Sequence, residues 1–447
     1  MSKNVGIDRR TFMRSAGMTA LAGASGVIAT GATVATGQSP ARMRNGLYDF
    51  DTVYDRVGSN CARWDSPPKL YPEGQVKYAM GVATMDFEAA PCITDALIER
   101  CKHNNWGYMS SSDSLRDAIV QWNGQRYNFD LDPESVVVSA GVYPGMIAAL
   151  RSFAPKGTKV LMLTPTYDGF PYHCRHTQVI QTQSEMIYKN GTYEIDWADL
   201  ESKMTPDTHA MIVCNPQNPT GNVWSKEDLL RIGRLCLEKQ IVVLSDEIHA
   251  DIVRDGHSYV PFASLPDKAV VDNSITFAAL SKTFNLAGMK NAYFHTTNPV
   301  LLSRIKQHHR ADLSTLGVVA TEAAYRHGAE WFDQVRPYLD NNHKIVESAV
   351  AKMPGVSVTK AQGTYLSWID FSSVIESIDA SEMAIRNGKA SPEHYFQDWL
   401  VENAGVYMNP GSNYSAGGQG HMRMNLGSSR IVVQEALDSV AAAISKV

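Results

Sequence analysis

Cysteine is scarce in this chain, with six among 447 residues and neither a Cys-x-x-Cys pair nor dense spacing. That pattern argues against a disulfide framework and leaves an isolated bridge open. Long apolar runs are missing after the first forty residues, so no later segment is expected to span a membrane. Charge of one sign is not in excess: Asp and Glu number 46 against 41 Lys and Arg, a formal −5 that disfavours nucleic acid as a partner. There is no internal repeat and no low-complexity tract after the N-terminus. What is present is 44% apolar and 19% charged residues, with glycine and proline spread along the length. That composition is expected of a globular α/β protein with room for two or three domains.

The opening, MSKNVGIDRRTFMRSAGMTALAGASGVIATGATVATG, sets basic residues before a weakly apolar Ala/Gly/Thr/Val stretch that ends in small residues at Ala35 and Gly37. It reads as a signal peptide over residues 1–37, and its Arg9-Arg10 pair followed by Phe12 resembles a twin-arginine export signal. Cleavage after Gly37 would remove four basic residues and one acidic residue, leaving the mature chain near −8. A periplasmic or secreted, soluble protein is the expectation.

Short β-branched runs alternate with helical patterns through the middle of the chain. ESVVVSAG, TKVLMLTP, HAMIVCNP, QIVVLSDE, NSITFAAL and NAYFHTT read as strands, and SKEDLLRIGRLCLEKQ as an amphipathic helix opening on Ser225 with Asp228 three residues later. Such alternation predicts a mostly parallel sheet covered by helices, with ligands beyond the carboxyl ends of its strands. After residue 325 the pattern changes to one long helical stretch, a few strands (VSVTK, TYLSWIDF, HMRMNLG) and a terminal helix, RIVVQEALDSVAAAISKV. A large domain over 89–325 and a smaller one over 326–447 follow, with residues 38–88 as an N-terminal arm assigned in part to the small domain.

Three strand-end signals carry chemistry. NPQNPTG (215–221) makes a rigid turn after an apolar strand, Asp246 ends the run IVVLS, and Lys282 follows the run ITFAALS. A carboxylate at such a place needs a cation, and a buried lysine becomes a nucleophile for carbonyls. Any one of the three has a bland reading as loop, cap or solvated side chain. Together they predict a site for pyridoxal 5'-phosphate, whose ring nitrogen needs an acidic partner. GGQGH (417–421) lacks the strand and acid of a dinucleotide fingerprint and reads as a flexible substrate loop. His308 and His309 are adjacent on a helix, point to different faces and are expected to be solvated, and MRMN reads as packing, so no metal is expected.

NPQNPTG, SDEIH, SKTFNLAGMK and HMRMNLG resemble, in order, the signature of fold type I pyridoxal-phosphate enzymes of the class I/II aminotransferase superfamily. FDTVYDRVGSNCARWD, MDFEAAPCITDAL, NNWGYMSSSDSLRDAI, SAGVYPGM, TPTYDGF and GTYLSWID are similar to its C–S lyase branch, the cystathionine β-lyase or cysteine-S-conjugate β-lyase group. The resemblance covers residues 48 to the end and implies the transferase fold of that type, with a seven-stranded-type sheet and a smaller α/β domain. It makes Lys282 the Schiff-base lysine, Asp246 the partner of the pyridine nitrogen, and Asn218 the partner of the phenolic oxygen, with His249 where aminotransferases usually have tyrosine. Tyr167 stacks on the ring, Gly141 and Val142 present backbone N–H groups to the phosphate, and Ser281 and Lys290 join the cofactor contacts. Tyr108 reaches the phosphate and substrate from a neighbouring subunit, which implies a homodimer with a shared site. Arg423 grips the substrate carboxylate. Ala279 and Lys290 depart from the serine and arginine that often bind phosphate, and Thr84 stands where the lyase branch frequently has aspartate.

The implied reaction is β-elimination from an S-substituted cysteine to thiol, pyruvate and ammonia. Aminotransfer to a 2-oxo acid is the alternative, and a catalytically silent regulatory member is a third reading.

Overall fold

The computed structural model describes residues 43–109 and 112–447. The expected signal peptide over residues 1–37 and its cleavage position lie outside the described residues.

Seven strands form the central sheet: β1 (Val136–Ser139), β2 (Lys159–Thr164), β3 (Ile180–Glu185), β4 (Thr208–Cys214), β5 (Val242–Asp246), β6 (Ser274–Ala278) and β7 (Ala292–His295), in the spatial order β1-β7-β6-β5-β4-β2-β3. The pairs among β6, β5, β4, β2 and β3 are parallel, whereas β7 runs antiparallel to both neighbours. The interior strands are continuous apolar runs because both faces are covered: Val243, Leu244, Met211 and Ile275 are fully buried. β3, with the sequence IQTQSE, is the one strand of this sheet without an apolar run in the sequence. It lies at the sheet edge, where polar side chains meet water and backbone pairing on one side suffices to hold it.

The helices close on the sheet with local signals. α1 (Val142–Phe153) starts at Gly141, whose φ of +143° is a conformation that side-chain-bearing residues rarely adopt. α2 (Lys226–Glu238) is capped by Ser225, whose Oγ accepts the Asp228 N–H at 3.0 Å and donates to Asp228 Oδ2 at 2.6 Å. α3 (Ala329–Val350) is the long helix, with Pro337 inside it, and links the two layers.

The second sheet is antiparallel: β8 (Ser357–Val358), β9 (Leu366–Asp370), β10 (Asn409–Pro410) and β11 (His421–Asn425), ordered β8-β9-β11-β10. α4 (Arg430–Ile444) packs its Val433, Leu437 and Val440 face against it, in a cluster with Met422 and Met424. The methionines of MRMN are core, as their alternation on β11 requires. Residues 78–79 pair in parallel with residues 406–407 in a separate two-stranded sheet, and Met80 and Val406 lie in the same apolar cluster as Met422 and Met424.

All six cysteines are free thiols. No helix among the described residues is long and apolar enough to cross a membrane, and no cluster among them could hold a metal ion. His309 is not solvated as expected: its Nε2 lies 3.1 Å from Ser139 Oγ and its ring meets Phe294 edge-on. The 417–421 segment packs over the end of the small sheet, with His421 stacked on Trp368 at 4.9 Å, and takes no part in lining the cavity described next.

Candidate active site

Parallel strands end at one edge of their sheet, and the side chains that follow them are therefore brought together. Gly141 and Val142 follow β1, Tyr167 follows β2, Asn218 follows β4, Asp246 closes β5 and Lys282 follows β6. β7 is antiparallel, so Lys290 and Asn291, which precede it, come to the same edge. All of these residues, with Ala279, Ser281, His249 and Arg423, line a single cavity of ≈ 380 Å³. Tyr108 is fully exposed and is not among the lining residues.

Lys282 is partly buried, and its Nζ donates to the carbonyl of Ala83 at 2.9 Å. Burial pushes its amine down to about 8, Arg423 adds to the effect, and Asp246 and Asp168 oppose it. Asp246 is buried, and its carboxylate accepts only the Ile248 N–H, at 3.2 Å, among the described residues. Burial raises its carboxyl to about 6, against the Ile248 N–H and the Lys282 charge. A buried carboxylate so sparsely paired calls for a cationic partner in the cavity.

Arg423 reaches the cavity from β11, where it lies opposite Trp368 and Asn409. It is 3% exposed; its Nη1 donates to Asn218 Oδ1 at 3.1 Å and its Nη2 to Gly81 O at 3.0 Å, while Nε is buried without a partner. The Tyr414 ring lies under the guanidinium, 5.0 Å from its centroid. His249 is buried with Nδ1 unpartnered, and burial holds it well below the ordinary histidine range, with Lys282 and Arg423 adding to the effect. Burial likewise raises the Tyr167 phenol to about 12, with Asp168 and Asp246 adding to the shift.

The structure adds residues to which the sequence reading gave no role. Asp168, within TPTYDGF, lines the cavity, as do Tyr143, His173 and Asn409. His173 Nδ1 donates to Gly169 O at 2.6 Å, and the ring packs against Tyr143, centroids 4.1 Å apart. Val82 and Ala83 enter from an irregular segment with no periodic signal. A second buried acid, Glu247, lies behind Asp246 and is satisfied there by Ser245 Oγ at 2.8 Å, the Phe262 N–H at 2.9 Å and the Tyr259 hydroxyl.

These residues fit pyridoxal phosphate on their own chemistry. An amine with a lowered pKa, a sparsely paired buried carboxylate, an amide side chain, a helix start opened by Gly141 and an arginine with a free donor face one space.

Comparison with known proteins agrees with this geometry. The chain is 34% identical over 404 residues to cystathionine beta-lyase PatB of Bacillus subtilis, covering 89% of this chain and 100% of the relative. It is 29% identical to Protein MalY of Escherichia coli over 90% of this chain and 100% of that one. Its structure matches the PLP-bound C-S lyase of Staphylococcus hominis with a TM-score of 0.81 and 32% identity, over 89% of this chain and 99% of that one. The family model "Aminotransferase class I and II" matches residues 77–440, and with the strand-end lysine, aspartate and asparagine in one cavity the chain belongs to that family.

Proposed function

We propose that this protein is a pyridoxal-phosphate-dependent C–S β-lyase that converts an S-substituted L-cysteine and water into a thiol, pyruvate and ammonia. The observation that carries the reading is the placement of Lys282, Asp246 and Arg423 around one cavity in a chain that aligns over the whole length of a cystathionine β-lyase. It is an enzyme of the pyridoxal-phosphate class, and its cofactor is pyridoxal 5'-phosphate.

Lys282 would hold the cofactor, Asp246 its ring nitrogen, Asn218 its phenolic oxygen, and the Gly141–Val142 turn with Ser281 and Lys290 its phosphate. When bound, the cofactor takes the substrate amine and withdraws electrons from the α-carbon. Arg423 turns its guanidinium to the substrate carboxylate, a task suited to a bidentate fork. Lys282 takes the α-proton on Nζ; a pKa near 8 leaves a useful fraction of neutral base at neutral pH. The same amine can return a proton, so aminotransfer remains the competing outcome. Release of pyruvate, thiol and ammonia in equal amounts from cystathionine or an S-alkyl cysteine without any 2-oxo acid is the expected result; turnover only with a 2-oxo acid would make the protein an aminotransferase.

The proposal extends to the assembly and location. Tyr108, exposed in a single chain, completes a neighbouring copy's site in a homodimer. The Arg9-Arg10 leader sends the folded, loaded enzyme out of a bacterial cytoplasm. Replacing both arginines with lysine should trap it inside, and undiminished export would overturn that part.

A further inference from the structure

Arg63 has no part in the chemistry above, yet it is the most completely buried charge near the site, 0% exposed. A guanidinium is tolerated in such a place only when its donors are met. Its Nε donates to Ala79 O at 2.7 Å, its Nη1 to Thr84 O and Gly427 O at 3.0 Å each, and it pairs with Asp86 Oδ2 at 2.9 Å. Asp86 is held in turn by Arg56 Nη1 and Trp64 Nε1, both at 3.0 Å, and by Ser428 Oγ at 3.1 Å.

The backbone between these anchors, residues 80–85, touches both ends of the active site. Gly81 O accepts from Arg423 Nη2 at 3.0 Å, and Ala83 O accepts from Lys282 Nζ at 2.9 Å and from the Tyr365 hydroxyl at 3.0 Å. The opposite carbonyls are tied down: Asn425 Nδ2, two residues from Arg423 on β11, donates to Val82 O and Thr84 O. Asn285, three residues from Lys282, accepts the Met85 N–H at 3.0 Å and donates to Met85 O at 2.8 Å. There is no slack at Gly81, where an added Cβ would lie 2.5 Å from Asn409 Oδ1 and 2.9 Å from the Tyr407 ring.

We propose that Arg63 is a positioning residue: by fixing the 79–86 segment it sets the spacing between the Arg423 guanidinium and the Lys282 amine, and so the register of the substrate carboxylate and α-carbon. The inference rests on the reading of Arg423 as the carboxylate grip. Lysine at this position would keep the charge opposite Asp86 but could not reach Ala79, Thr84 and Gly427 together, because the planar fork of several donors is lost.

The test uses the full chain loaded with pyridoxal phosphate. Arg63→Lys should raise KM for an S-alkyl cysteine by about tenfold, and likewise the dissociation constant of 2-methylalanine, an amino acid with no α-proton to lose, while cofactor content and visible absorbance stay at wild-type levels. kcat should fall by less than KM rises. Asn285→Ala, which loosens the same segment from the lysine side without leaving a buried charge unpaired, should move both quantities in the same direction and decides the matter if Arg63→Lys does not fold. KM and 2-methylalanine affinity within about twofold of wild type in the folded variants would overturn the proposal, as would a loss shared equally with cofactor content. If the wild type turned over no amino acid while still binding 2-methylalanine, the reaction assignment would fail and the spacing role would stand.

Discussion

At the scale of the residue, the account turns on how burial sets two opposite groups. Lys282 loses hydration and its amine drops to about 8, whereas Asp246 loses hydration and its carboxyl rises to about 6. Only a neutral amine attacks an aldehyde, so capture of pyridoxal phosphate by the cofactor-free chain should quicken as pH rises towards 8 and level off above it. Rapid-mixing absorbance measures this directly; a rate still climbing through pH 10 would indicate an ordinary solvated lysine. Both residues were legible in the sequence through their company: either alone reads as a cap or a solvated side chain, whereas an acid, a lysine and the NPQNPTG turn at three strand ends point to one site. Gly81 and Ala83 were not legible, because they act through backbone carbonyls, which every residue possesses. Asp168 was hidden for another reason: it follows an aromatic and precedes a glycine in a turn, a place where aspartate ordinarily needs no function.

At the scale of the element, six of the seven strands of the large sheet coincide with apolar runs, because strands buried on both faces must be continuous in apolar residues. β3 escaped that logic at the edge. The antiparallel direction of β7 was also unreadable from its own sequence, yet it is what carries Lys290 and Asn291 to the cavity. Two substitutions separate local from tertiary stabilisation. Ser225→Ala removes the cap of α2 and should cost about 1 kcal/mol in urea unfolding with no change in turnover. Leu244→Ala empties a wholly buried position on β5, two residues before Asp246, and should cost about 2–5 kcal/mol. Equal costs for the two would contradict the picture of a helix held locally and a strand held by the core.

At the scale of the whole molecule, the cavity lies where two layers meet: the large sheet supplies Lys282, Asp246 and Asn218, and the small one supplies Arg423. Arg423 to Asn218 joins the two sheets directly at the site, and Lys282 to Ala83 ties the large sheet to the segment that Gly81 joins to Arg423. If Tyr108 completes a second copy's site, Tyr108→Ala and Lys282→Ala chains, each impaired alone, should recover activity when unfolded together and refolded, since each mixed dimer then holds one intact site. No recovery in a confirmed mixed dimer would mean that each site is complete within its own chain. The central claim is that the Lys282 amine is the group that carries the cofactor in the cavity. The most direct measurement is borohydride reduction of the loaded enzyme followed by peptide mass analysis. The cofactor mass should be found on the peptide containing Lys282 and nowhere else; its appearance on Lys290 or any other lysine would contradict the account.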